Sequence, residues 1–591
     1  MAQHGSSSGP PVWRKLGQSK AAWANTARTT AANTRGFRHF IREPAASERF
    51  AFGGAPYDPT NEAMRLAAQT LMRRLARRLE REPPPADGNF DNPNIPSGYT
   101  YLFQLAAHDL VHSTVFLSLA EGRLTAISNT RSMPLRLETI FGEGPAARPD
   151  LYEKMTAGSR FHPRLRVGPL RENGTLGAGN QQPTITNLDF DIARGGCPFG
   201  HDSRAHGLPE PIIGDPRNDD HPILSQLVVL FHHLHNTILT ELAKAPGHPA
   251  MDSPFETDHV NYLCARSATT LIYRNIVRHD LLRRLLHPDV RAAYETDSVP
   301  VADKPVVPGD RWQAPFELTH GAMRVAHTMV RPSYSFNAQG HAEEFSFRLM
   351  LLQSSDDQPE QMPLQTKWAV DWARFFGDGD PNVFNFSRRI RPHYDGHMFD
   401  ALTFPAENGD GVAGLAYRDL LSGSDGMPWS LAALVQAMRD THRDLLARSP
   451  LLAINPAHPT TRPWQALLAA WLRAVPAYLP DDTLSEDDIR ALSSDPPLNL
   501  FIAFEAMSDP ATLGGQRLGV LGSILIADVF YNVLRRDPMI ADEFTLSSSA
   551  QMAALSHLIF GSAPNLLAFL PEITTFDALL AFMKPRMPQV F

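Results

Sequence analysis

The segment between Pro222 and Pro246 constrains the fold more than any other part of the sequence. Its apolar residues recur at three- and four-residue intervals, which is the spacing of one face of an α-helix. The same spacing recurs in residues 61–82, 261–286, 316–330, 431–446, 464–475 and 518–535, whereas strand-like alternation bounded by hairpin turns is nearly absent. The sequence therefore predicts a mainly α protein, built as a large single helical domain without internal repeats.

Composition excludes several classes of protein. The 591 residues are 43% hydrophobic and 20% charged, which is typical of a globular protein. A net charge of −8 predicts no binding to nucleic acid. The two cysteines, Cys197 and Cys264, exclude a disulfide scaffold and a cysteine-rich metal cluster. No apolar run approaches the roughly 20 residues of a membrane span, and the N-terminus lacks the apolar core of a secretory signal. We therefore expect no membrane span and, by default, a cytoplasmic location, with export by another route left open.

Two regions differ from the helical pattern. Residues 1–45 are rich in small, polar and basic residues and have no acid before Glu43. They predict a flexible basic arm, ahead of a catalytic domain at 46–591. Residues 120–215 are short segments separated by Gly and Pro, and so long an irregular stretch indicates a functional role rather than a spacer.

Residues 97–110 combine an apolar, helix-like segment with three polar side chains, Gln104, His108 and Asp109. Gln104 and His108 are four residues apart and share a helix face, whereas Asp109 points about 100° away. A glutamine and a histidine among Leu, Phe and Ala suit a pocket that needs a base and a hydrogen-bond donor in dry surroundings. The alternative is that His108 is a core histidine with a local hydrogen-bond partner.

The charged loop 213–222 opens directly into the helix that begins at Pro222. Arg217 and Asp220 are placed to face inward where this helix starts. The alternative is that Asp219 or Asp220 caps the helix and that Arg217 is solvated.

Two later segments carry further candidates. In residues 321–330, small residues flank His327 and leave room for a flat group to approach its ring, and Arg324 lies one turn earlier. Asp419 is embedded between apolar residues in the segment 414–428. The alternatives are a buried structural histidine and an exposed acid at a helix end.

Taken together, these segments resemble a known family. Five strings occur in order and at family spacing: Asn94-Ile-Pro-Ser-Gly-Tyr-Thr-Tyr-Leu, Gln104…His108-Asp109, Ile213-Gly-Asp-Pro-Arg-Asn-Asp, His235-Asn236 and Arg324…His327. They resemble the peroxidase–cyclooxygenase superfamily of animal-type haem peroxidases, which contains mammalian myeloperoxidase and its bacterial relatives. The resemblance covers roughly residues 50–540. It implies a bacterial family member that holds haem b between a distal helix at 101–113 and a proximal helix at 316–330.

The resemblance implies distal roles for three residues. His108 matches the base that takes a proton from iron-bound peroxide and returns it to the departing oxygen. Arg217 matches the arginine that stabilises the negative charge developing as the O–O bond breaks. Gln104 matches the family glutamine beside the distal water and halide position.

On the proximal side, His327 matches the axial ligand of the haem iron. Arg324 matches an arginine that pairs with a haem propionate. Asp419 matches the family asparagine that accepts the imidazole N–H, and an aspartate there would lower the Fe(III)/Fe(II) potential.

The departures from the family pattern concern haem linkage and calcium. Ala107 stands where many relatives have an ester-forming aspartate, and Asp220 matches the second ester-forming acid but is one methylene shorter, so at most one ester to haem is available. The calcium site of the family uses Asp109 and a loop matching residues 132–141. Because Arg136 stands where an aspartate ligand is expected, we predict that calcium is absent or weakly bound.

The leading hypothesis is a haem-dependent peroxidase that reduces hydrogen peroxide through an oxo-ferryl intermediate and oxidises a small organic or inorganic electron donor. One alternative is a fatty-acid dioxygenase of the same superfamily, although those enzymes have a radical-forming tyrosine where this chain has Arg324. The other is a haem-binding protein with degenerate turnover. It is favoured by Ala107, Arg136 and Ser422, the last of which stands where many relatives have an arginine.

Overall fold

The described part of the chain covers most of its length. The computed structural model describes residues 34–58, 61–118, 123–153, 161–173, 184–195, 210–245, 252–296, 312–338, 344–377, 384–406, 412–426, 428–453, 462–477, 479–536, 548–560 and 568–587. The remaining residues, which include 1–33 of the expected basic arm, lie outside this description.

Helices dominate the described residues, so the mainly α prediction is confirmed. The α-helices are Glu62–Leu79, Ser97–Leu110, Glu138–Phe141, Pro222–Leu242, Pro254–Ile276, Leu282–Leu285, Pro288–Glu295, Phe347–Leu351, Leu415–Asp425, Leu431–Ala437, Arg439–Leu446, Pro463–Ala474, Glu486–Ser494, Leu498–Ser508, Val520–Arg536, Ser548–Phe560 and Phe576–Met583. π-helical turns at Val277–Leu281 and Glu317–Gly321, and short 3₁₀ segments that include Pro216–Asp219 and Ala322–Met329, complete the helical structure used below.

The strands are short and pair mostly in twos. They are Thr34–Arg35, Phe37–Arg38, Ala51–Phe52, Ala55–Pro56, Asp91–Pro96, Ser113–Ser118, Arg123–Asn129, Val167–Gly168, Asp191–Ile192, Arg194–Gly195, Glu210–Pro211, Ala314–Pro315, Ser333–Tyr334, Phe345–Ser346 and Phe386–Arg388. The larger sheet has three strands, in which Arg123–Asn129 lies between Thr34–Arg35 and Ser113–Ser118.

The longer helices form where the apolar spacing predicts them. The helix Glu62–Leu79 begins at Asn61, whose side chain accepts a hydrogen bond from the backbone N–H of Met64. The helix Pro222–Leu242 has proline at its first position and is buried along nearly its whole length. It therefore forms a central element of the hydrophobic core.

One hairpin was not predicted. Residues 113–118 and 123–129 pair antiparallel, with Val115 opposite Ile127, immediately after the helix Ser97–Leu110. The sequence analysis extended that helix to residue 113 and described the region from 120 onwards as irregular. The helix instead begins four residues earlier than expected and ends at Leu110.

The proximal segment is not the α-helix that the spacing predicts for residues 316–330. It is a π-helical turn, Glu317–Gly321, followed by a 3₁₀ helix, Ala322–Met329. A Cβ atom on Gly321 would lie 2.7 Å from Leu498 Cδ2, so the backbone approaches the helix Leu498–Ser508 more closely than other residues permit. The π-helical turn ends at this close approach, and such π turns are frequent at functional sites.

The basic arm ends earlier than residue 45. Thr34–Arg35 pairs in parallel with the strand Arg123–Asn129, and Phe37–Arg38 pairs with Ala314–Pro315. The next residue, His39, places its Nδ1 3.0 Å from a carboxylate oxygen of buried Glu317. The packed body of the protein therefore includes residues 34–45.

Glu505 makes the stability of this core depend on pH. It is fully buried and accepts hydrogen bonds from the backbone N–H of Leu521 and from the Ser449 hydroxyl. Burial raises the pKa of Glu505 to about 7. Because the native carboxyl holds its proton to higher pH than the unfolded one, its contribution to stability falls as pH rises from about 4.5 to 7.

The substitution Glu505→Gln should remove this pH dependence. Between pH 5 and 8 we expect the unfolding free energy of the unmodified protein to fall by roughly 2 kcal/mol relative to that of the variant. Denaturant unfolding followed by circular dichroism at the two pH values measures this difference. Parallel pH profiles for the two proteins would contradict the prediction.

Candidate active site

His108 lies near the C-terminal end of the helix Ser97–Leu110 and is buried. Its Nδ1 lies 2.8 Å from Asn218 Oδ1, in the 3₁₀ segment Pro216–Asp219. The Asn218 amide nitrogen in turn donates to the Thr139 hydroxyl at 2.7 Å. The sequence analysis quoted Asn218 within a motif but gave it no role.

Two arginines bind the end of this helix. The Arg131 Nε donates to the His108 carbonyl oxygen at 2.8 Å, and Arg217 Nη2 donates to the same carbonyl at 3.1 Å and to that of Val111 at 2.8 Å. Both guanidinium groups form ion pairs with buried Asp215. Cations at a helix C-terminus are favourable, and both guanidinium groups lie beside the histidine-bearing end of this helix.

These surroundings keep His108 neutral. Burial, and then the charge of Arg217, lower the pKa of His108 to about 3, against opposing effects from Asp215 and Asn218. A neutral imidazole near neutral pH has a lone pair on one ring nitrogen and is able to accept a proton.

Arg217 is oriented differently from the sequence expectation. Its Nε and Nη2 bind Asp215 and backbone carbonyls, so these donors serve the protein itself. For the distal role that the sequence analysis expects, this arrangement leaves the charge of Arg217 and its remaining nitrogen, Nη1, rather than its whole guanidinium fork.

The two adjacent acids, Asp219 and Asp220, lie in different surroundings. The Asp219 carboxylate forms a bidentate pair with Arg194, at 2.8 and 3.1 Å. Asp220 is buried, and burial raises its pKa well above the ordinary value. The sequence analysis names Asp220, rather than Asp219, as the acid that contacts a bound group, and that assignment stays a prediction.

Gln104 shares the face of His108 and is contacted by His221. The Oε1 of Gln104 lies 3.2 Å from His221 Nε2, while His221 Nδ1 accepts from the backbone N–H of Leu224 at 3.3 Å. Burial lowers the pKa of His221 to about 3, so this ring is also neutral. The sequence analysis missed His221 because its role is visible only from this contact.

On the proximal side, the structure brings His327 and Asp419 together. The Nδ1 of His327 lies 2.7 Å from Asp419 Oδ2, and the Tyr394 hydroxyl donates to the same oxygen at 3.1 Å. Arg324 Nη1 lies 3.8 Å from the other carboxylate oxygen. Asp419 is completely buried, which excludes the exposed helix-end acid of the sequence analysis.

Ser422, which departs from the family pattern, makes a side-chain contact close to His327. Its hydroxyl lies 2.6 Å from Nδ1 of His320, which belongs to the π-helical turn preceding His327. The serine hydroxyl at this position thus contacts the side chain of His320, in the turn that precedes the segment carrying His327.

The residues present fit a haem group. His327 presents one ring nitrogen to Asp419, and because a carboxylate only accepts hydrogen bonds, Nδ1 carries the proton and Nε2 has the lone pair that an iron ligand needs. The His327 side chain is 22% exposed although its partner is fully buried, so it is accessible to a ligand. The helix Ser97–Leu110 packs beside the 3₁₀ helix Ala322–Met329, which places the two histidine-bearing elements next to one another.

The residues do not fit calcium. The two carboxylate oxygens of Asp109 accept from the backbone N–H groups of Leu137 and Thr139, at 2.8 and 3.2 Å. Arg131, rather than the Arg136 singled out in the sequence, lies 3.8 Å from Glu138. Backbone N–H groups and a guanidinium repel a divalent cation, whereas Ca²⁺ requires six to eight oxygen ligands.

We therefore expect protein purified without chelator to contain well under one Ca²⁺ per chain, and EDTA to leave its unfolding temperature unchanged. Metal analysis by plasma emission spectrometry and thermal unfolding with and without chelator test this. About one tightly held Ca²⁺ per chain would contradict it.

Comparison with known proteins finds a family match over part of the chain and a similar fold in solved structures. Residues 181–370 match the family model described as animal haem peroxidase. No curated protein matches the chain by sequence. Among solved structures, fatty acid alpha-dioxygenase from Arabidopsis thaliana matches with a TM-score of 0.51 and 13% identity, over 94% of this chain and 81% of that chain. Peroxidase A from Dictyostelium discoideum matches with a TM-score of 0.48 and 12% identity, over 93% of both chains.

Within the described residues, every helix is too short or too polar to span a membrane.

Proposed function

We propose that this chain is a haem-dependent peroxidase of the peroxidase–cyclooxygenase superfamily, which reduces hydrogen peroxide and oxidises a small-molecule electron donor. The family match over residues 181–370 and the fold shared with a fatty acid alpha-dioxygenase support the proposal. The observation that carries the proposal is the buried, neutral His108 whose Nδ1 is bound by Asn218. A protein that only stores or carries haem has no need of a distal base held in this way. His327, bound to Asp419, is the proposed axial ligand.

Haem supplies the redox chemistry at peroxide when it is bound. The chain itself handles the proton: Nε2 of His108 accepts it from one peroxide oxygen and returns it to the other as water leaves. The positive charge of Arg217 and Arg131 stabilises negative charge on the departing oxygen. Arg324 and Asp220 are the proposed contacts to the haem edge, the former to a propionate and the latter as the available ester-forming acid.

The dioxygenase alternative shares the fold, since a fatty acid alpha-dioxygenase is among the matched structures. The position three residues before His327 is Arg324, which cannot form the tyrosyl radical that such an oxidation requires. We therefore place peroxidase activity first.

An absorption spectrum of haem-reconstituted protein, before and after one equivalent of hydrogen peroxide, tests the proposal. We expect a ferric high-spin Soret band that changes within milliseconds and returns when a reducing donor such as ascorbate is added. A normal haem spectrum that barely responds to peroxide would favour the haem-binding alternative. Failure to bind haem would exclude both.

A further inference from the structure

The short segment 216–221 contacts both polar side chains of the distal helix face. Asn218 binds His108 at 2.8 Å, and His221 binds Gln104 at 3.2 Å. All of these side chains except that of Gln104 are buried, so water does not compete for the contacts. In each contact one group donates the hydrogen bond and the other accepts it. Which group donates follows from a third residue, Thr139 for the first contact and Leu224 for the second.

The direction of the first contact follows from Thr139. The Asn218 side-chain nitrogen faces the Thr139 hydroxyl at 2.7 Å and the Thr139 carbonyl oxygen at 3.4 Å. A carbonyl oxygen only accepts hydrogen bonds, so the nitrogen of the Asn218 amide is on this side and its oxygen is directed to His108. That oxygen accepts only from a protonated Nδ1. A neutral His108 therefore has its lone pair on Nε2.

The direction of the second contact follows from Leu224. Its backbone N–H donates to His221 Nδ1 at 3.3 Å, so the proton of this neutral ring is on Nε2. Nε2–H then donates to Gln104 Oε1. With its oxygen occupied, Gln104 has its amide nitrogen available as a hydrogen-bond donor on the face that it shares with His108.

We propose that Asn218 and His221 are positioning residues that fix the hydrogen-bonding roles of His108 and Gln104. Nε2 of His108 becomes an acceptor, and Nε2 of Gln104 becomes a donor. The inference rests on the proposed function and refines its substrate: the favoured ligand is a protonated peroxide, R–O–O–H, which offers one proton to give and oxygens that accept. A ligand that only accepts is disfavoured at His108.

Histidine-selective ¹⁵N NMR on the full-length chain shows which ring nitrogen of His108 carries the proton, and the measurement does not depend on enzymatic activity. We expect His108, assigned with a His108→Gln variant, to show the Nδ1–H tautomer. Asn218→Leu removes the acceptor and should convert His108 to the Nε2–H tautomer, which free imidazole side chains ordinarily favour. Asn218→Asp keeps an acceptor and should retain Nδ1–H. An unchanged tautomer in Asn218→Leu, or an Nε2–H tautomer in the unmodified chain, would overturn the proposal.

Fluoride binding to the haem-reconstituted protein supplies a readout that a merely structural role would not move. Fluoride accepts hydrogen bonds but donates none. Asn218→Leu, with a new donor at His108, should bind fluoride about tenfold more tightly while reacting more slowly with peroxide, whereas His221→Phe should bind fluoride about tenfold more weakly. Changes in the same direction for both variants would contradict the inference.

Two controls separate the outcomes. Asn337→Leu makes the same substitution at an asparagine that binds the backbone carbonyls of 366–369, and should leave tautomer and fluoride affinity unchanged. In the Gln104→Leu background, His221→Phe should have no additional effect on fluoride, because His221 acts through Gln104. If the unmodified protein shows the expected tautomer but does not react with peroxide, the proposed function is wrong, whereas the hydrogen-bonding roles inferred for His108 and Gln104 are still supported.

Discussion

Replacing His108 with leucine is expected to slow the reaction with hydrogen peroxide by about 10²–10⁴-fold while haem stays bound, since the substitution removes the general base and acid from the distal side. Leucine matches the neighbouring apolar residues of the helix in character and leaves His327 and Asp419 untouched. Stopped-flow absorbance in the Soret region measures the rate, and the pyridine haemochrome assay measures haem content.

The matched control is His112→Leu. His112 follows the same helix and is half-buried, and its Nδ1 binds the Thr130 hydroxyl at 2.9 Å rather than Asn218. Its replacement should leave the peroxide rate within about twofold of the parent, because His112 has no role in the proposed proton transfer. Equal rates for His108→Leu and the unmodified protein would remove His108 from the mechanism. Equal losses in both variants would indicate a general disturbance of the helix end.

The fold could be predicted where local spacing determines it. The helices Glu62–Leu79 and Pro222–Leu242 have long apolar faces and clear start signals, so their positions follow from the sequence alone. The 3₁₀ and π geometry around His327 could not be predicted, because apolar spacing does not distinguish these helices from an α-helix. The close approach of Gly321 to Leu498, which is far away in the chain, is visible only in the structure. The hairpin after Leu110 was missed because the sequence analysis extended the helix to residue 113 and described the residues from 120 onwards as irregular.

The candidate site likewise contains parts that could be predicted from the sequence and parts that could not. The pairing of His327 with Asp419 was expected from the family resemblance, and the structure places the two side chains in contact. The cluster that surrounds His108 was missed, because Arg131, Asp215 and Asn218 come from segments that only the tertiary fold brings together. A single sequence shows that charged residues are present, but it does not show which carboxylate each arginine binds.

Replacing His327 with leucine is expected to abolish stable haem binding, since Nε2 of this residue is the proposed axial ligand and leucine offers no lone pair. The haem-to-protein ratio after gel filtration of reconstituted protein measures the effect. Retention of haem with an unchanged ferric spectrum would show that another residue binds the iron. The His108→Leu variant is the natural comparison, because it should keep a full haem complement.

Asp419 should modify the properties of His327 as an iron ligand, without binding the iron itself. Asp419→Ala removes the acceptor for the imidazole N–H and is expected to cost about 10–100-fold in haem affinity or peroxide rate, the usual effect of losing such a partner. Asp419→Asn restores the acceptor without the charge, so it should recover most of the haem binding and raise the Fe(III)/Fe(II) potential, measured by spectroelectrochemistry. Asp495→Asn, at a buried acid that accepts from the backbone N–H of Ala51 and Leu431, is the matched control and should leave the potential unchanged. An identical potential in Asp419→Asn and the unmodified protein would mean that the carboxylate charge does not reach the iron through His327.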